Sequence, residues 1–476
     1  MSLFFYYITM MIIVSLLPFL IELKTVWLSF FFGVALFLFI YKTKNGHDKV
    51  KNNNRIQQLI AGIIIFFPFI VSLLTFIEYG SIYTNFIPGI LVMDTALIFF
   101  QYFLVIPFSF ISAPSSQKNN PENPLVSILV PAFNEEKWIK KTLESIIEVE
   151  YPNKEIIVID DGSTDNTFLI SSNLAKKSKN IKVFKKKNGG KASAINYGLL
   201  IASGEIIVIT DADGLVSRNS LREIVNLFQN PSVVGVAGNI RVINKSNILT
   251  NCQALEYSLG INLYRAATAS FGIVEVLPGP LSSFRRSAIE MVGRFDSDTI
   301  VEDADFTKKL LKTGSILQAT ANSYAYTEAP SNLQDFVKQR TRWYRGNIQT
   351  FLKHRDLRDF SSNIFNASIL MPLSFLQIFV QPWLGVFSLI SLIYSIYSGS
   401  YVFVERIFFI FIVMQFLISF IAISKGGEDY KLLIYSPFLI FGYKHIIDII
   451  KIKCLIQHFT KGSAKWDKVE RKGPDF

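Results

Sequence analysis

Cysteine and histidine are both scarce in this sequence. Its 476 residues include two cysteines, Cys252 and Cys454, and four histidines. Two cysteines so far apart fit neither a disulfide framework nor the paired spacing of a zinc site. The histidines form no cluster either. The composition therefore argues against zinc-dependent, thiol redox and disulfide-stabilised proteins.

Charged residues are also few, and they are absent from long stretches of the chain. Only 18% of the residues are charged, whereas 50% are hydrophobic and 43 are phenylalanine. An ordinary soluble domain does not have this composition. The net charge of +11 is typical of basic cytoplasmic loops that face anionic lipid. We therefore expect the lipid bilayer as a partner and no nucleic acid.

Apolar runs predict about four membrane spans within residues 1–112, because some 20 apolar residues cross the hydrocarbon core. The fourth run contains Asp94, which is either a functional intramembrane acid or the outer end of a span that begins near Thr95. We prefer the second interpretation. The candidate spans are Leu3–Ile21, Val26–Tyr41, Leu59–Ile77 and Phe86–Ser112.

The charges of the loops predict the orientation of these spans. The loop between the second and third spans is rich in Lys and Arg, whereas residues 78–85 carry no positive charge. The positive-inside rule places the basic loop in the cytoplasm, so that four spans return the chain there at about Ala113. A polar linker, residues 113–124, follows. We expect a multi-pass plasma-membrane protein whose residues 125–358 form a cytoplasmic domain.

The C-terminal region, residues 359–450, is apolar again. Ser361–Val404 has no charged residue. This stretch is long enough for one span and an interfacial helix, or for two spans broken near Pro382. Further on, Ile407–Ile423 is another candidate span and Leu432–Tyr443 a short re-entrant or interfacial segment. Two or four crossings are expected, with residues 451–476 as a basic cytoplasmic tail.

Short apolar strands alternate with helices in residues 125–358, which predicts an α/β domain with a mostly parallel sheet. In open sheets of this kind, ligands bind beyond the carboxyl ends of the strands. Polar residues that follow a strand are therefore the candidates for a site. The expected strands are Val126–Val130, Glu155–Ile159, Ile181–Phe184 and one within Gly204–Val216; the expected helices are Glu136–Val149, Ala192–Ala202 and Ser220–Phe228.

Asp211 and Asp213 follow the strand within Gly204–Val216, separated by one residue. Two carboxylates there can hold Mg²⁺ or Mn²⁺, which prefers oxygen ligands shared with the phosphates of a substrate. The same Asp-x-Asp-Gly pattern also occurs in calcium loops, in aspartyl-phosphate phosphatases and in ordinary turns. This motif alone leaves those alternatives open.

Two further loops carry polar residues at strand ends. Asn134 and Glu135 follow the first strand, and Asp160 and Asp161 follow the second. These side chains can accept hydrogen bonds from a base and a ribose. The alternatives are a helix N-cap for the first loop and an Asx-type turn for the second.

Asn188-Gly189-Gly190-Lys191 precedes a helix. Its glycines allow a close approach of the backbone, and Lys191 can neutralise a diphosphate at the helix N-terminus. The loop is not a Walker motif, because Gly-x-x-x-x-Gly-Lys-Ser/Thr is absent. The lysines between residues 176 and 187 are interpreted as a solvated face.

In order and spacing, these motifs resemble a family-2 glycosyltransferase of the GT-A fold. Val301-Glu302-Asp303 resembles the Thr-Glu-Asp motif of that family, and Pro278-Gly279-Pro280 is similar to the segment before it. Gln339-Arg340-Thr341-Arg342-Trp343 resembles the Gln-x-x-Arg-Trp signature of the processive branch, the cellulose, chitin, hyaluronan and poly-N-acetylglucosamine synthases. The resemblance covers residues 125–346 motif by motif.

The resemblance also implies a role for each matching residue. Val301 replaces the threonine of the family motif, so a hydroxyl is lost there while both carboxylates remain. The implied roles are catalysis by Asp303, as base, and Glu302; nucleotide-sugar binding by Asn134, Glu135, Asp160, Asp161, Lys191, Asp211 and Arg342; acceptor binding by Gln339, Arg340, Trp343 and Gly279; and Mg²⁺ or Mn²⁺ binding by Asp211 and Asp213.

We therefore expect a membrane-embedded inverting glycosyltransferase that adds sugar from a UDP-sugar to a growing β-linked polysaccharide, with export through its own membrane portion. UDP-N-acetylglucosamine is the preferred donor, and an accessory subunit or an oligomer is compatible with the pattern. Three alternatives stay open: transfer of one sugar to a polyprenyl phosphate or other lipid, an aspartyl-phosphate phosphatase, and a non-catalytic transport or structural protein. Locally, Trp343 could instead be an interfacial anchor, and Glu302-Asp303 an acidic helix start capped by Thr299 or Asp298.

Overall fold

The computed structural model describes residues 123–358, 366–399 and 401–461, together with Gly473 and selected residues between 34 and 110. For residues 401–410 it describes the backbone alone. The described residues form two compact units, one from 123 to 355 with Gly473 and one from the residues up to 110 and from 356 onward. The first and third expected spans lie outside the described residues, as does the second apart from residues 34, 35 and 38. About half of the fourth span is described, including Asp94 and residues 104–110.

The first unit is built on an eight-stranded sheet in the order β3-β2-β1-β4-β7-β6-β8-β5. Strands β3, β2, β1 and β4 are parallel neighbours. Strand β7 runs antiparallel to β4 and β6, and β5 runs antiparallel to β8. The strands are β1 Val126–Ala132, β2 Lys154–Asp160, β3 Ile181–Lys185, β4 Ile206–Ile209, β5 Gly214–Val216, β6 Val233–Val242, β7 Ser282–Arg285 and β8 Ile316–Thr327.

Helices cover the sheet and complete its core. The apolar runs of β1 and β4 are buried along their whole length, as expected for strands with both faces covered. A π-helical segment, Tyr257–Leu263, joins two helices end to end. The helices are α1 Ile139–Ile147, α2 Thr167–Ala175, α3 Lys191–Ile201, α4 Ser220–Phe228, α5 Ile248–Glu256, α6 Tyr264–Ala269, α7 Arg286–Val292, α8 Glu302–Lys312 and α9 Leu333–Lys353.

The expected elements up to Phe228 are present, with small shifts at their ends. Helix α1 begins at Ile139 instead of Glu136, because the backbone N–H groups of Trp138 and Ile139 both donate to the Glu135 carbonyl and form a turn first. Strands β6, β7 and β8 were not among the expected elements. They complete the half of the sheet that includes the antiparallel pairs.

In the second unit, one helix is long and apolar enough to cross a membrane among the residues that the structure describes. Met371–Tyr397 has 27 residues and continues through Pro382. This proline lies in the first turn of a helical segment that follows a π-helical segment, Leu376–Val380, where the regular bond pattern is already interrupted. Of the two alternatives for Ser361–Val404, the described residues therefore favour one helix over two spans broken at the proline.

The remaining helices of the second unit partly match the expectation. The candidate span Ile407–Ile423 lies within one helix, and the short segment after it forms a 3₁₀ turn, Tyr430–Tyr435, and a helix of one turn. The expected boundary at residue 450 falls inside the helix Tyr443–Lys461. Beyond that boundary, Cys454 and Leu455 are still buried. The helices are α10 Met371–Phe375, α11 Gln381–Tyr397, α12 Tyr401–Gly426, α13 Ser436–Ile440 and α14 Tyr443–Lys461.

Asp94 is buried in the second unit. Its Oδ2 accepts a hydrogen bond of 3.0 Å from Ser388 Oγ and lies 3.6 Å from Lys444 Nζ. The same ammonium lies 2.9 Å from Asp448 on its own helix. A Cβ at Gly385 would overlap the Asp448 carboxylate. Buried acids of this kind persist only where a cation pairs with them.

Candidate active site

The two aspartates of the Asp-Ala-Asp motif lie in the turn between β4 and β5. Asp211 is reached just after β4, and Asp213 directly precedes β5. Thr142 on α1 donates its hydroxyl proton to the Ala212 carbonyl at 2.9 Å. Gly214 then pairs with Thr327 of β8. The turn is thereby held on both sides, and its carboxylates sit at the carboxyl end of β4.

Lys191, the first residue of α3, joins this turn to the start of α8. Its Nζ lies 2.6 Å from Asp211 Oδ1 and 3.2 Å from Glu302 Oε1. Burial acts to lower the pKa of Lys191, but the charges of Asp211, Glu302 and Asp303 outweigh it and raise this pKa far above its usual range. The ammonium therefore stays protonated at any physiological pH.

Asp303 is held in place by backbone donors. Its Oδ2 accepts from the Gly279 N–H at 3.1 Å and its Oδ1 from the Ala304 N–H at 2.8 Å. Burial and the neighbouring charge of Glu302 raise the pKa of Asp303 to about 6, although Lys191 opposes them. A carboxylate with this pKa is mostly ionised at neutral pH and is a stronger base than an ordinary aspartate.

The start of α8 differs from the expected cap. Val301 is the N-cap residue and makes no side-chain bond to the helix, whereas Thr299 and Asp298 lie upstream. Thr299 Oγ1 donates instead to the Val301 carbonyl at 3.4 Å. The first turn is nonetheless acidic, with Glu302, Asp303 and Asp305, which the helix dipole favours.

Gly279 leaves a space that any side chain would fill. A Cβ at this position would lie 2.5 Å from Lys191 Nζ and 2.9 Å from Asp211 Oδ1. The surrounding groups include the carboxylates of Asp211, Glu302 and Asp303 and the Lys191 ammonium, and the Arg265 guanidinium also interacts with Asp303. This oxygen-rich, net negative donor set fits a hard divalent cation, for which Asp211 and Asp213 would be the ligands.

A second acidic cluster, formed by Asp296, Asp298 and Asp305, also has metal-like spacing, with ligand atoms within 4.8 Å of one another. Lys353 Nζ occupies its centre, at 3.1, 2.7 and 2.9 Å from the three carboxylates respectively. This one ammonium pairs with every carboxylate of the cluster, including the buried Asp305. We therefore describe this cluster as an ion-pair network.

The loop after β1 is interlocked with the loop after β2. Asn134 adopts a left-handed conformation, with φ of 56°, which asparagine tolerates better than most residues. Its backbone N–H donates to Ser163 Oγ at 2.9 Å, and its Oδ1 accepts from the Thr164 N–H at 2.9 Å. The Glu135 N–H donates to Thr167 Oγ1 at 2.7 Å. The two predicted nucleotide loops are thus one rigid edge.

Asp160 and Asp161 both carry structural contacts in this edge. Asp160 is fully buried, and its Oδ1 accepts from the Ser163 N–H at 3.1 Å. The Asp161 carboxylate accepts from the Gly190 N–H at 2.7 Å and from Lys186 Nζ at 2.6 Å. Lys186 was expected on a solvated face, but its side chain is only 17% exposed, because a buried carboxylate requires a cation beside it.

The signature on α9 forms a layer of rings around one buried cation. Arg340 is fully buried and donates from Nη2 to Glu256. Its guanidinium lies 4.3 Å from the centre of the Trp343 ring and 4.9 Å from that of Phe336. Tyr257 approaches Trp343 with 6.2 Å between ring centroids. Arg340 therefore supports Trp343 from within the fold.

The other residues of the signature differ in exposure. Gln339 is buried, whereas Arg342 and Trp343 are half-buried. Of the predicted acceptor residues, Trp343 is half-buried and Gly279 borders the carboxylate cluster, while Gln339 and Arg340 are buried.

Comparison with known proteins agrees with this geometry. A sequence profile described as Glycosyl transferase family 2 matches residues 127–293. A poly-beta-1,6-N-acetyl-D-glucosamine synthase from Staphylococcus epidermidis is 30% identical over 370 residues, which are 77% of this chain and 84% of that protein. The chain belongs to glycosyltransferase family 2. A synthase of the same name from Staphylococcus aureus is 31% identical to this glycosyltransferase over 268 residues, 56% of this chain and 63% of that one.

A solved structure extends the comparison to the fold. The mannosyltransferase of Pyrobaculum calidifontis, determined with GDP-Man and Mn²⁺, superposes with a TM-score of 0.60 at 23% identity, over 79% of this glycosyltransferase and 100% of the other chain. The expected α/β, GT-A-like sheet is thereby confirmed. The family also confirms that the protein is a hexosyltransferase, which excludes the phosphatase and the non-catalytic alternatives.

Sequence reasoning missed several residues that shape the active site of this glycosyltransferase. Glu256 contacts Arg340, which lies 84 residues later in the chain, and Tyr257 contacts Trp343. Neither Glu256 nor Tyr257 lies in a recognisable motif. Lys353 lies in a basic helix end that looks solvated in sequence. No local signal could have identified these contacts, because each depends on a partner from a distant segment.

Proposed function

We propose that this glycosyltransferase transfers N-acetylglucosamine from UDP-N-acetylglucosamine to the end of a growing β-1,6-linked polysaccharide. Relatives that align over most of the chain carry that product in their names. The observation that carries the proposal is the position of a candidate base, Asp303, beside a protonated lysine, Lys191. Gly279 N–H holds Asp303, while Lys191 bridges Asp211 and Glu302.

The donor half of the reaction requires stabilisation of a leaving group. When the bond from the anomeric carbon to the diphosphate breaks, both bonding electrons stay on the diphosphate oxygen. Lys191 is protonated and adjacent, and the planar fork of Arg342 is suited to bind two phosphate oxygens. Mg²⁺ or Mn²⁺ held by Asp211 and Asp213 would supply Lewis-acid stabilisation of the same negative charge.

The acceptor half requires removal of a proton. The oxygen of the acceptor hydroxyl forms the new bond to the anomeric carbon on the face opposite the diphosphate, and its proton passes to the Asp303 carboxylate. A pKa of about 6 keeps this carboxylate ionised at neutral pH. One displacement of this kind inverts the anomeric centre, so an α-linked donor yields a β-linkage.

The remaining predicted residues would shape the places at which the two substrates bind. Asn134, Glu135, Asp160 and Asp161 form the edge at which a base and ribose would lie. The half-buried ring of Trp343 offers an apolar face for the acceptor sugar. Because Gln339 and Arg340 are buried, we propose that they act on the acceptor through Trp343.

The membrane portion belongs to the same proposal. The continuous apolar helix Met371–Tyr397 and the basic loop before Leu59 support a multi-pass protein whose catalytic unit faces the cytoplasm. The growing chain would leave through this portion. In reconstituted vesicles with external donor, we expect polymer inside the lumen; polymer found only on the donor side would contradict export.

The decisive experiment measures UDP release from the detergent-purified full chain with Mg²⁺ or Mn²⁺ across a panel of UDP-sugars. We expect release from UDP-N-acetylglucosamine together with a growing polymer. Asp303→Asn should abolish polymer growth because the base is lost. Glu144→Gln is the matched control, since Glu144 is exposed and lies 4.0 Å from its partner Lys140.

Two other results would change the proposal. Transfer of a single sugar to a lipid, with no polymer, would favour the alternative of a polyprenyl phosphate or other lipid acceptor. Polymer growth that persists in Asp303→Asn would show that Asp303 is not the base.

A further inference from the structure

The helix that carries the base is joined to the helix that carries the acceptor signature by polar contacts at the end of α9. Asp305 lies two residues after Asp303, so it points to the opposite side of α8. It is fully buried. Its Oδ1 accepts from Lys353 Nζ at 2.9 Å and from His354 Nε2 at 2.8 Å. Lys353 is the last residue of α9, and His354 is its C-cap.

The same ammonium holds the loop that leads into α8. Lys353 Nζ lies 3.1 Å from Asp296 and 2.7 Å from Asp298. Lys309, one turn after Asp305, lies 2.8 Å from Asp296 and donates to the Arg294 carbonyl at 2.9 Å. The loop and the first turn of α8 therefore share one anchor at the end of α9.

A second contact joins the two helices close to the motifs. Val301, the N-cap of α8, packs against the backbone of Gly346, where a Cβ would overlap both Val301 methyl groups. Nearby, the Ile300 N–H donates to Gln349 Oε1 at 3.4 Å. Gly346 lies three residues after Trp343, and Val301 two residues before Asp303. The valine that replaces the family threonine thus supplies a methyl contact with α9.

Lys353 cannot act on a substrate directly. Ten helical residues separate it from Trp343, a distance of about 15 Å along the axis. The groups that raise or lower the pKa of Asp303 most are its burial, Glu302, Lys191, Ala304 and Asp211, and Lys353 is not among them. Its connection to the chemistry is therefore geometric.

We propose that Lys353 is a positioning residue, which fixes Asp303 relative to the acceptor signature on α9 through Asp305 and the loop that contains Asp296 and Asp298. The inference rests on the proposed function of the site. A misplacement of about 1 Å at a reacting group can lower turnover about 100-fold, so the loss of an anchor that holds the base helix is expected to lower turnover.

The test compares Lys353→Met with Lys338→Met in the full chain, with UDP-N-acetylglucosamine as donor. Lys338 lies on the same helix in an exposed pair with Asp335, so its variant is the matched control. For Lys353→Met we expect kcat per folded protein to fall about ten-fold or more, while the donor KM stays within about two-fold. The fraction of UDP released without sugar transfer should rise. Lys353→Arg should restore transfer, because it keeps the charge.

If Lys353→Met does not fold, two variants at the uncharged contact between Gly346 and Val301 test whether α9 positions the base. Gly346→Ala places a methyl group against Val301 and should lower transfer per UDP released. Combining it with Val301→Ala should restore part of the transfer, because it removes the two methyl groups that the added methyl would overlap, whereas the remaining Cβ at 3.0 Å needs only a small shift.

The outcomes separate the two proposals. A wild-type protein that releases no UDP from any sugar nucleotide overturns the proposed function and this inference with it. An active wild type overturns the inference alone if folded Lys353→Met keeps full turnover and full transfer per UDP. The same holds if Gly346→Ala transfers normally.

Discussion

Gly279 shows how the absence of a side chain can shape an active site. Its N–H orients the Asp303 carboxylate at 3.1 Å, and the space where a Cβ would stand borders Lys191 and Asp211. Any larger residue would separate the ammonium from its carboxylate. The Pro-Gly-Pro segment, predicted to contact the acceptor, therefore also links the base to the carboxylates of the proposed metal site.

The pKa of Asp303 leads to a prediction at the scale of one residue. Because burial and Glu302 raise this pKa to about 6, the base becomes ionised only as the pH rises through that value. We expect log kcat/KM for transfer to climb with unit slope below about pH 6 and to level above it. Glu302→Gln removes the adjacent negative charge and should move the midpoint to lower pH.

The measurement is the initial rate of sugar transfer at saturating metal between about pH 4.5 and 8. Glu144→Gln provides the control, with an unchanged midpoint. A rate that is independent of pH across this range would contradict the assignment of Asp303 as base.

At the scale of elements, α9 serves the site along its whole length. Its first half carries the ring layer around Arg340, and its end carries the anchor at Lys353. The π-helical segment that begins at Tyr257 packs against the same layer. Segments of this type often occur at functional sites, and here the segment brings an aromatic ring to Trp343.

Arg340 and Glu256 give a prediction for the stability of this layer. Arg340→Met leaves Glu256 without the guanidinium that it contacts, and removal of one partner of a buried pair costs about 3 kcal/mol. We expect the melting temperature of the detergent-purified protein to fall by about 5–10 °C. Arg218→Met, which breaks an exposed pair with Glu148, should change it by less than about 2 °C.

The double variant Glu256→Gln/Arg340→Met refines this prediction. It removes both charges, so it should recover part of the lost stability. A single variant Arg340→Met that melts like the wild type would show that the pair contributes nothing to the fold.

At the scale of the whole molecule, the chain combines a catalytic α/β unit with a helical unit that contains its own buried charges. In the helical unit, Lys444 is the cation that contacts both Asp94 and Asp448. The two carboxylates come from opposite ends of the sequence. The ion cluster therefore joins the N-terminal and C-terminal parts of this unit.

Lys444→Met should destabilise the helical unit, because it removes that cation from two buried carboxylates. We expect a smaller folded fraction after heating in detergent, as measured by size-exclusion chromatography. Lys453→Met, an exposed position on the same helix, is the control and should behave like the wild type. Equal survival of both variants would show that the cluster does not hold the unit together.

Much of the catalytic unit follows from the sequence alone. The apolar runs of β1, β2 and β4 predict buried parallel strands, and the polar residues after them predict a site at one sheet edge. These signals succeed because each depends on a few neighbouring residues, whose spacing and chemistry are local. The order of the motifs, compared with a known family, also identified the class of enzyme.

Only the tertiary structure determined which partner each polar residue meets. Arg340 reaches Glu256 across 84 residues, and Asp94 reaches Ser388 across 294. The antiparallel strands β6 and β7 and the anchor at Lys353 are equally non-local. A lysine on a helix looks the same in sequence whether it faces water or three aspartates. Its partner is decided by how distant segments pack, since burial of a charge is stable only where that packing supplies the opposite charge.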